Sequence, residues 1–241
     1  KNMGVSNTAI AFHTSLLVLA WTVKPLWSPV VEMFRIKREW VLAMEFGMAV
    51  LLGCVALAVP LPSFMPVTLA FMWIVAFFSA TQDIAADGLY ISVMNSREQS
   101  TWVGVQGFFW LLAKTVMTGS MVMLSGYLHR SGMSWAHSWL IVMLVCGAIM
   151  LLLGLWHTKF LPVDVRSVDR PTSFHQAVRT FKESFVSFFR KEQVIRIVAF
   201  IILYKISQGL IDRIGPLFLL DPRSVGGLGL DNVFKGSIDG L

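Results

Sequence analysis

The sequence predicts an all-α protein, a polytopic bundle of transmembrane helices, and three observations predict it. Of 241 residues, 56% are hydrophobic and 14% charged, with a mean hydropathy of +0.68, and a water-soluble fold of this size could not keep that much apolar surface covered. The apolar residues gather in six runs, each long enough to cross the roughly 20-residue hydrocarbon core as a helix. Most charged residues fall between these runs, so the net charge of +6 reports orientation in a bilayer rather than a nucleic-acid surface.

The first run covers about residues 8 to 31. It carries Lys24 directly before Pro25, with Pro29 beyond; proline frees backbone carbonyls and kinks a helix, so this end is expected to be irregular and to line a cavity. The second run, 40 to 59, contains Glu45 about a turn from one end, where it is expected to reach the headgroups. Pro60, Pro62 and Pro66 bracket a short turn into the third run, 66 to 93, and Asn95 to Ser100 form a polar turn into the fourth, 101 to 127. The fifth run spans 136 to 157. Gly119 with Gly126, and Gly147 with Gly154, recur every seven residues and predict faces where helices approach closely. Cys54 and Cys146 lie within apolar runs and read as packing residues, not as a disulfide or metal site.

Residues 161–193 form one long polar connection before the sixth run, 194 to 220. Ser173 and Gln176 have capping-box spacing for a helix start. Phe174, Val178, Phe181, Phe185 and Phe188 then recur at helical spacing, with Arg179, Lys182, Arg190 and Lys191 between them. Two placements fit this basic amphipathic helix: in the inner headgroups, or against the inner ends of the bundle.

Orientation follows from the basic residues, which accumulate in cytoplasmic loops. Arg35, Lys37 and Arg38 follow the first run, Arg97 follows the third, and Lys159, Arg166, Arg170, Arg179, Lys182, Arg190 and Lys191 follow the fifth. These loops share a side. The opposite loops contribute only Arg130 between the fourth and fifth runs and none between the second and third, so the first run enters from outside and the charged side is cytoplasmic. The chain has no recognisable signal peptide and is expected to be a piece of a longer protein.

An ionisable residue at bilayer depth costs at least roughly 2.5–3.5 kcal/mol and is a functional candidate by default. Lys114 and Lys205 lie near the middles of the fourth and sixth runs. Lys205, Gln208 and Asp212 share one helix face at i, i+3 and i+7, and Ser79, Gln82, Asp83 and Asp87 form a second polar stripe on the third run. Asp83 and Asp87 stand one turn apart and repel when both are ionised, which makes them a candidate proton-coupling site. Fixed positive charges at Lys24, Lys114 and Lys205 suit an anionic solute, and Trp21, Trp27 and Trp110 could stack on sugar rings. Two alternatives stand beside these readings: the lysines pair with Asp83, Asp87 or Asp212 as structural ion pairs, or the two aspartates lock against Arg35 or Arg38 as an inner gate.

Zinc, P-loop and serine-elbow signatures do not occur, and His13, His129, His137, His157 and His175 are scattered. No residue is assigned as catalytic or as a metal or cofactor ligand.

The segment Ser79-Ala-Thr-Gln-Asp-Ile-Ala-Ala-Asp87 resembles the fourth-helix signature of AmpG-like muropeptide permeases and the related acetyl-CoA transporters, within the major facilitator superfamily. Lys24-Pro-Leu-Trp-Ser-Pro29 resembles the second-helix motif of that family, Leu203-Tyr-Lys205 the start of its seventh helix and Phe218-Leu-Leu-Asp221 the end of it. The resemblance implies a partial major facilitator fold, helices two to seven of about twelve. Residues 1–158 would be five spans of the N-terminal half, 159–193 the cytoplasmic linker, and 194–241 the first helix of the C-terminal half with the loop after it. It also implies that helices two, four, five and seven line a central cavity, and these carry Lys24, Gln82, Asp83, Asp87, Lys114, Lys205, Gln208 and Asp212. Glu32 and Arg35 stand nearest to the superfamily's usual Asp-Arg loop pattern, and Gln208 stands near the position where the permeases carry an acidic residue.

The expected function is import of a small polar solute, an anionic saccharide or muropeptide, across the cytoplasmic membrane by proton-coupled alternating access. Neutral glycan disaccharides and acyl-CoA-like solutes are alternatives within transport. An integral-membrane enzyme acting on lipid-linked sugars, and a receptor without flux, are alternatives outside it.

Overall fold

The computed structural model describes residues 2–33, 36–163, 174–190 and 192–239; the side chains of Glu32, Phe188, Lys205, Gln208, Asp212 and Arg213 are among those outside the description. Arg35, Arg166, Arg170 and Ser173 also lie outside the described residues, as does Lys191. Among the described residues the regular structure is entirely helical. Six helical segments among them are long and apolar enough to cross a membrane, as the six apolar runs predict.

The first of them is not one continuous helix. Helix α1 (Asn7–Leu17) is capped by the Ser6 side chain, which accepts from the Ala9 N–H. A break at Val18 leads into α2 (Leu19–Val23), a 3₁₀ turn at Lys24–Leu26 containing Pro25, and α3 (Ser28–Met33). Proline at 25 has no N–H to donate and excludes an undisturbed helix through this point, so the irregular end is where Lys24 and Pro25 predict it. The additional break at Val18 has no proline or glycine to mark it.

Helix α4 (Lys37–Ala58) packs between α5 (Phe64–Val93) and α7 (Trp135–Phe160). Small residues set the separation. A Cβ added at Gly47 would run into the Phe78 ring, one at Gly147 would lie 3.2 Å from the Ala49 carbonyl oxygen, and one at Gly154 3.2 Å from the Phe46 ring. On the other side of α5, Ala76 and Ala80 receive Ala20 of α2, all three buried, and Val31 meets Val41 and Ala85. Trp27 packs against both clusters.

Helix α6 (Ser96–Arg130) opens on a capping box in which Asn95 and Glu98 satisfy each other's backbone N–H groups. Its second half contacts α7 and the short helix α10 (Asn232–Asp239). Gly126 lies under Val233, and a Cβ at Gly236 would meet the Gly119 carbonyl oxygen at 2.6 Å. Close packing therefore explains Gly119 and Gly126 as well as the α7 pair. Helix α8 (Phe174–Phe189) contacts α3 and leaves Val178, Phe185, Val186 and Phe189 exposed, and α9 (Val194–Leu220) reaches α10 and α1. Large apolar side chains such as Phe108, Leu152, Phe200 and Ile211 are exposed on the spans, as lipid-facing residues are.

Candidate functional site

The break in the first span brings Lys24 against α5. The 3₁₀ turn directs its ammonium group to Asp83, with Nζ 2.6 Å from Oδ2. Both side chains keep contact with the open space beside the bundle, with exposures of 31% and 44%. Two charges are thus held together at the depth of the membrane spans without being sealed away. Trp27, three residues on, donates from Nε1 to Thr81 Oγ1 at 3.2 Å and meets the Phe77 ring at 5.3 Å. These contacts anchor the broken segment to α5.

Asp87 stands one turn beyond Asp83 and is exposed. Of the two arginines expected to lock these aspartates, Arg38 instead donates to the Thr158 carbonyl oxygen at the end of α7, and Arg35 lies outside the described residues. Among the described residues, the partner that Asp83 meets is Lys24.

Lys114 is exposed on α6, its ammonium 5.7 Å from the centroid of the Trp110 ring, which is also exposed. A cation over an indole face is a favourable contact, worth about 0.5–1 kcal/mol where solvated. Helix α6 packs on α7 and α10 through residues beyond Lys114, so Lys114 and Trp110 occupy an uncovered face. Lys205, Gln208 and Asp212 sit on α9 at the spacing read from the sequence, and their side chains lie outside the described residues.

Gln82 has a different role from its neighbour Asp83. It turns the other way and donates from Nε2 to Glu45 Oε1 at 2.9 Å. Glu45 is 2% exposed, and His157 Nδ1 lies 2.8 and 2.9 Å from its two oxygens. The expectation that Glu45 reaches the headgroups is therefore wrong. Its position on α4 is set by the face on which it falls: Lys37, Val41, Glu45 and Met48 are all buried and follow the helical period. Reading that stripe would have placed Glu45 between helices, and His157 is the side chain on α7 able to meet it.

A cavity of about 240 Å³ lies away from these charges, near the turn between α4 and α5, lined by Val55, Val59, Phe64, Leu69, Met72 and Trp139 among others. No group of His, Cys, Asp and Glu among the described residues could hold a metal ion.

Residues 1–212 match the BT1 family. An uncharacterized protein of Haemophilus influenzae is 24% identical over 218 residues, covering 85% of this chain and 47% of its own length. A Rickettsia felis protein named "Putative transporter AmpG 4" is 24% identical over 228 residues, covering 90% of this chain and 53% of its own. The chain thus spans about half the length of the curated relatives it matches. No solved structure matches significantly.

Proposed function

Because the chain belongs to the BT1 family, which is related to the major facilitator superfamily, we propose that this multi-pass membrane protein is part of a secondary transporter working by alternating access. The observation that carries this reading is the Lys24–Asp83 pair: two opposite charges meet at a helix break within the spans, and both remain open to the space beside α5. Covering the pair would strip both charges of water at a cost that their mutual attraction need not repay, so their openness fits charges kept in contact with water. A pair lining a wet passage must remain reachable.

The solute we infer is small, polar and anionic, with a muropeptide or related saccharide as the best fit. Support comes from the lysines at 24, 114 and 205, from the exposed indole of Trp110 beside Lys114, and from the printed name of the Rickettsia relative. The residues proposed to line the pathway are Lys24, Asp83, Asp87 and Lys114, joined by Lys205, Gln208 and Asp212 from α9. Residues 1–158 and 194–241 would belong to two halves that rock against one another, linked by 159–193. Proton coupling, import and a cytoplasmic-membrane location belong to the same proposal.

Uptake of a panel of anionic and neutral saccharides into proteoliposomes containing the full-length protein, with and without an imposed pH gradient, tests it. Accumulation of an anionic saccharide driven by the gradient is the expected result. Turnover of a lipid-linked sugar by detergent-solubilised protein, with no accumulation in vesicles, would replace transport by enzymatic action. Binding without flux would make the protein a receptor.

A further inference from the structure

We propose that Glu45 and His157 form a proton-binding site, loaded and emptied from the end of the bundle where α4 begins and α7 ends, and wired to the solute pathway through Gln82. Burial makes the carboxylate dependent on its neighbours. At 2% exposure it cannot stay ionised without partners, because removing the charge from water costs several kcal/mol. Glu45 has partners on two helices: Gln82 Nε2 from α5 on Oε1, and His157 Nδ1 from α7 near both oxygens.

Only one of these partners can change charge. With Glu45 ionised, His157 must carry hydrogen on Nδ1, which leaves Nε2 to take a proton. In the unloaded form the pair is a carboxylate and a neutral imidazole, with net charge −1. A proton arriving from water joins Nε2, the pair becomes a carboxylate and an imidazolium, and the Nδ1 proton can then pass along the hydrogen bond to Glu45. In both loaded forms the net charge is zero, which suits the buried position better. The way in is His157, whose side chain is 23% exposed; it lies one turn from the end of α7 and close to Lys159.

From α7 the group that meets Glu45 is His157 itself, with Lys159 beyond it and exposed. From α5 it is Gln82, which is neutral; the adjacent Asp83 is engaged by Lys24, and Asp87 is exposed. The described side chains of α3 carry no charge. On α4 itself, Arg38 lies two turns away and donates to the Thr158 carbonyl, with Lys37 and Glu39 in the same first turn.

The link to the pathway is covalent. Gln82 and Asp83 are consecutive on α5, one held by Glu45 and the other by Lys24. When Glu45 becomes a neutral acid it loses the charge that strengthens its bond from Gln82, so loading biases the setting of α5 and with it the Lys24–Asp83 pair. This consequence rests on the transport reading; proton binding by the pair does not.

The test uses the purified full-length protein in lipid vesicles, cycled between about pH 5 and about pH 8, the range in which histidine changes charge, while the infrared difference spectrum is recorded. The wild type is expected to show paired carboxyl and imidazole signals. Glu45→Gln should lose the carboxyl signal, and His157→Asn, which keeps a donor where Nδ1 stands but cannot be protonated, should lose both. His157→Asn separates proton binding from packing, since a purely structural histidine would leave the carboxyl signal intact in that variant. Spectra unchanged in both variants, or a flat wild-type spectrum, overturn the proposal. Should either variant fail to assemble, the other still decides the outcome. Failure of the wild type to move any solute would instead remove the transport reading, and the spectra alone would then decide whether the pair binds a proton.

Discussion

Lys24 and Asp83 are each about one-third to one-half exposed, so their attraction falls between that of a surface pair and that of a buried one. Losing a single partner should cost about 1–2 kcal/mol of stability, because the remaining charge is only partly solvated. This separates a structural role from a functional one. Lys24→Ala and Asp83→Ala should each lower the thermal midpoint of the full-length protein, and the double variant should recover most of that loss. If the pair lines the passage, uptake stays abolished in the double variant even though the fold recovers; recovery of uptake along with stability would reduce the pair to a brace. Lys114→Ala should cost only the worth of its contact with Trp110, about 0.5–1 kcal/mol, and yet lose uptake; full transport by that variant would remove Lys114 from the pathway. The charges at 24, 83 and 114 are legible in the sequence because an ionised group inside an apolar run stands out by composition alone. The burial of Glu45 is not, because distance from the end of a run says nothing about which face of the helix a residue occupies. The anchoring role of Trp27 is hidden for the same kind of reason: its neighbours Phe77 and Thr81 belong to a different helix and are named only by the fold.

At the scale of the element, small residues set how closely the helices approach. Gly126 and Gly236 face each other's helices so closely that a Cβ at the first would come within 2.7 Å of Val233, and one at the second within 2.6 Å of the Gly119 carbonyl oxygen, while Gly53 and Gly104 have nothing within 4 Å. Substitution should therefore split into two groups. Gly126→Val is expected to destabilise by about 1–3 kcal/mol through overpacking, and to separate α10 from α6. Gly53→Ala should be neutral or stabilise by about 0.5–1 kcal/mol, since helix propensity favours alanine where space is free. Thermal unfolding of the two variants in the same detergent measures both, and equal midpoints would show that α10 does not hold this position in the protein. The seven-residue glycine spacing makes these faces readable before their partners are known, because a close approach needs small residues at a helical repeat. The break of the first span at Val18 is not readable, since β-branched valine is common in continuous spans and nothing else marks the site. The site in turn depends on that segment, for the broken course of α2 and the 3₁₀ turn is what brings Lys24 to Asp83.

Across the whole molecule, residues 2–160 and 194–239 touch at the end where α6 finishes. Asn7 Nδ2 donates to both oxygens of Asp221 at 2.9 and 2.8 Å, Asn232 Nδ2 donates to Ser125 Oγ at 2.9 Å, and Arg130 pairs with Asp231. Toward the other end the first half of α6 and much of α9 are exposed. Under the proposed transport reading, with basic loops marking the cytoplasm, these contacts lie on the outer side and are what an outward opening would break. Acid should loosen them in part. The N–H of Phe234, and then the guanidinium of Arg130, hold the Asp231 carboxyl below its ordinary range, so its contribution is present above that range and is lost as pH falls through the lowered value. Because Asp231 is half-exposed the effect is modest, and Asp231→Asn should remove it. Asn7 and Asp221 allow a stricter test, since their side chains are in direct contact across the two parts of the chain. Asn7→Cys combined with Asp221→Cys in the full-length protein should cross-link under mild oxidation and hold this end shut. Uptake from outside should then fall to background and return on reduction, while each single variant keeps most of its activity. A cross-linked protein that still transports at the uncross-linked rate would mean that this end does not open during the cycle, and the direction of access assigned from the basic loops would have to be reversed.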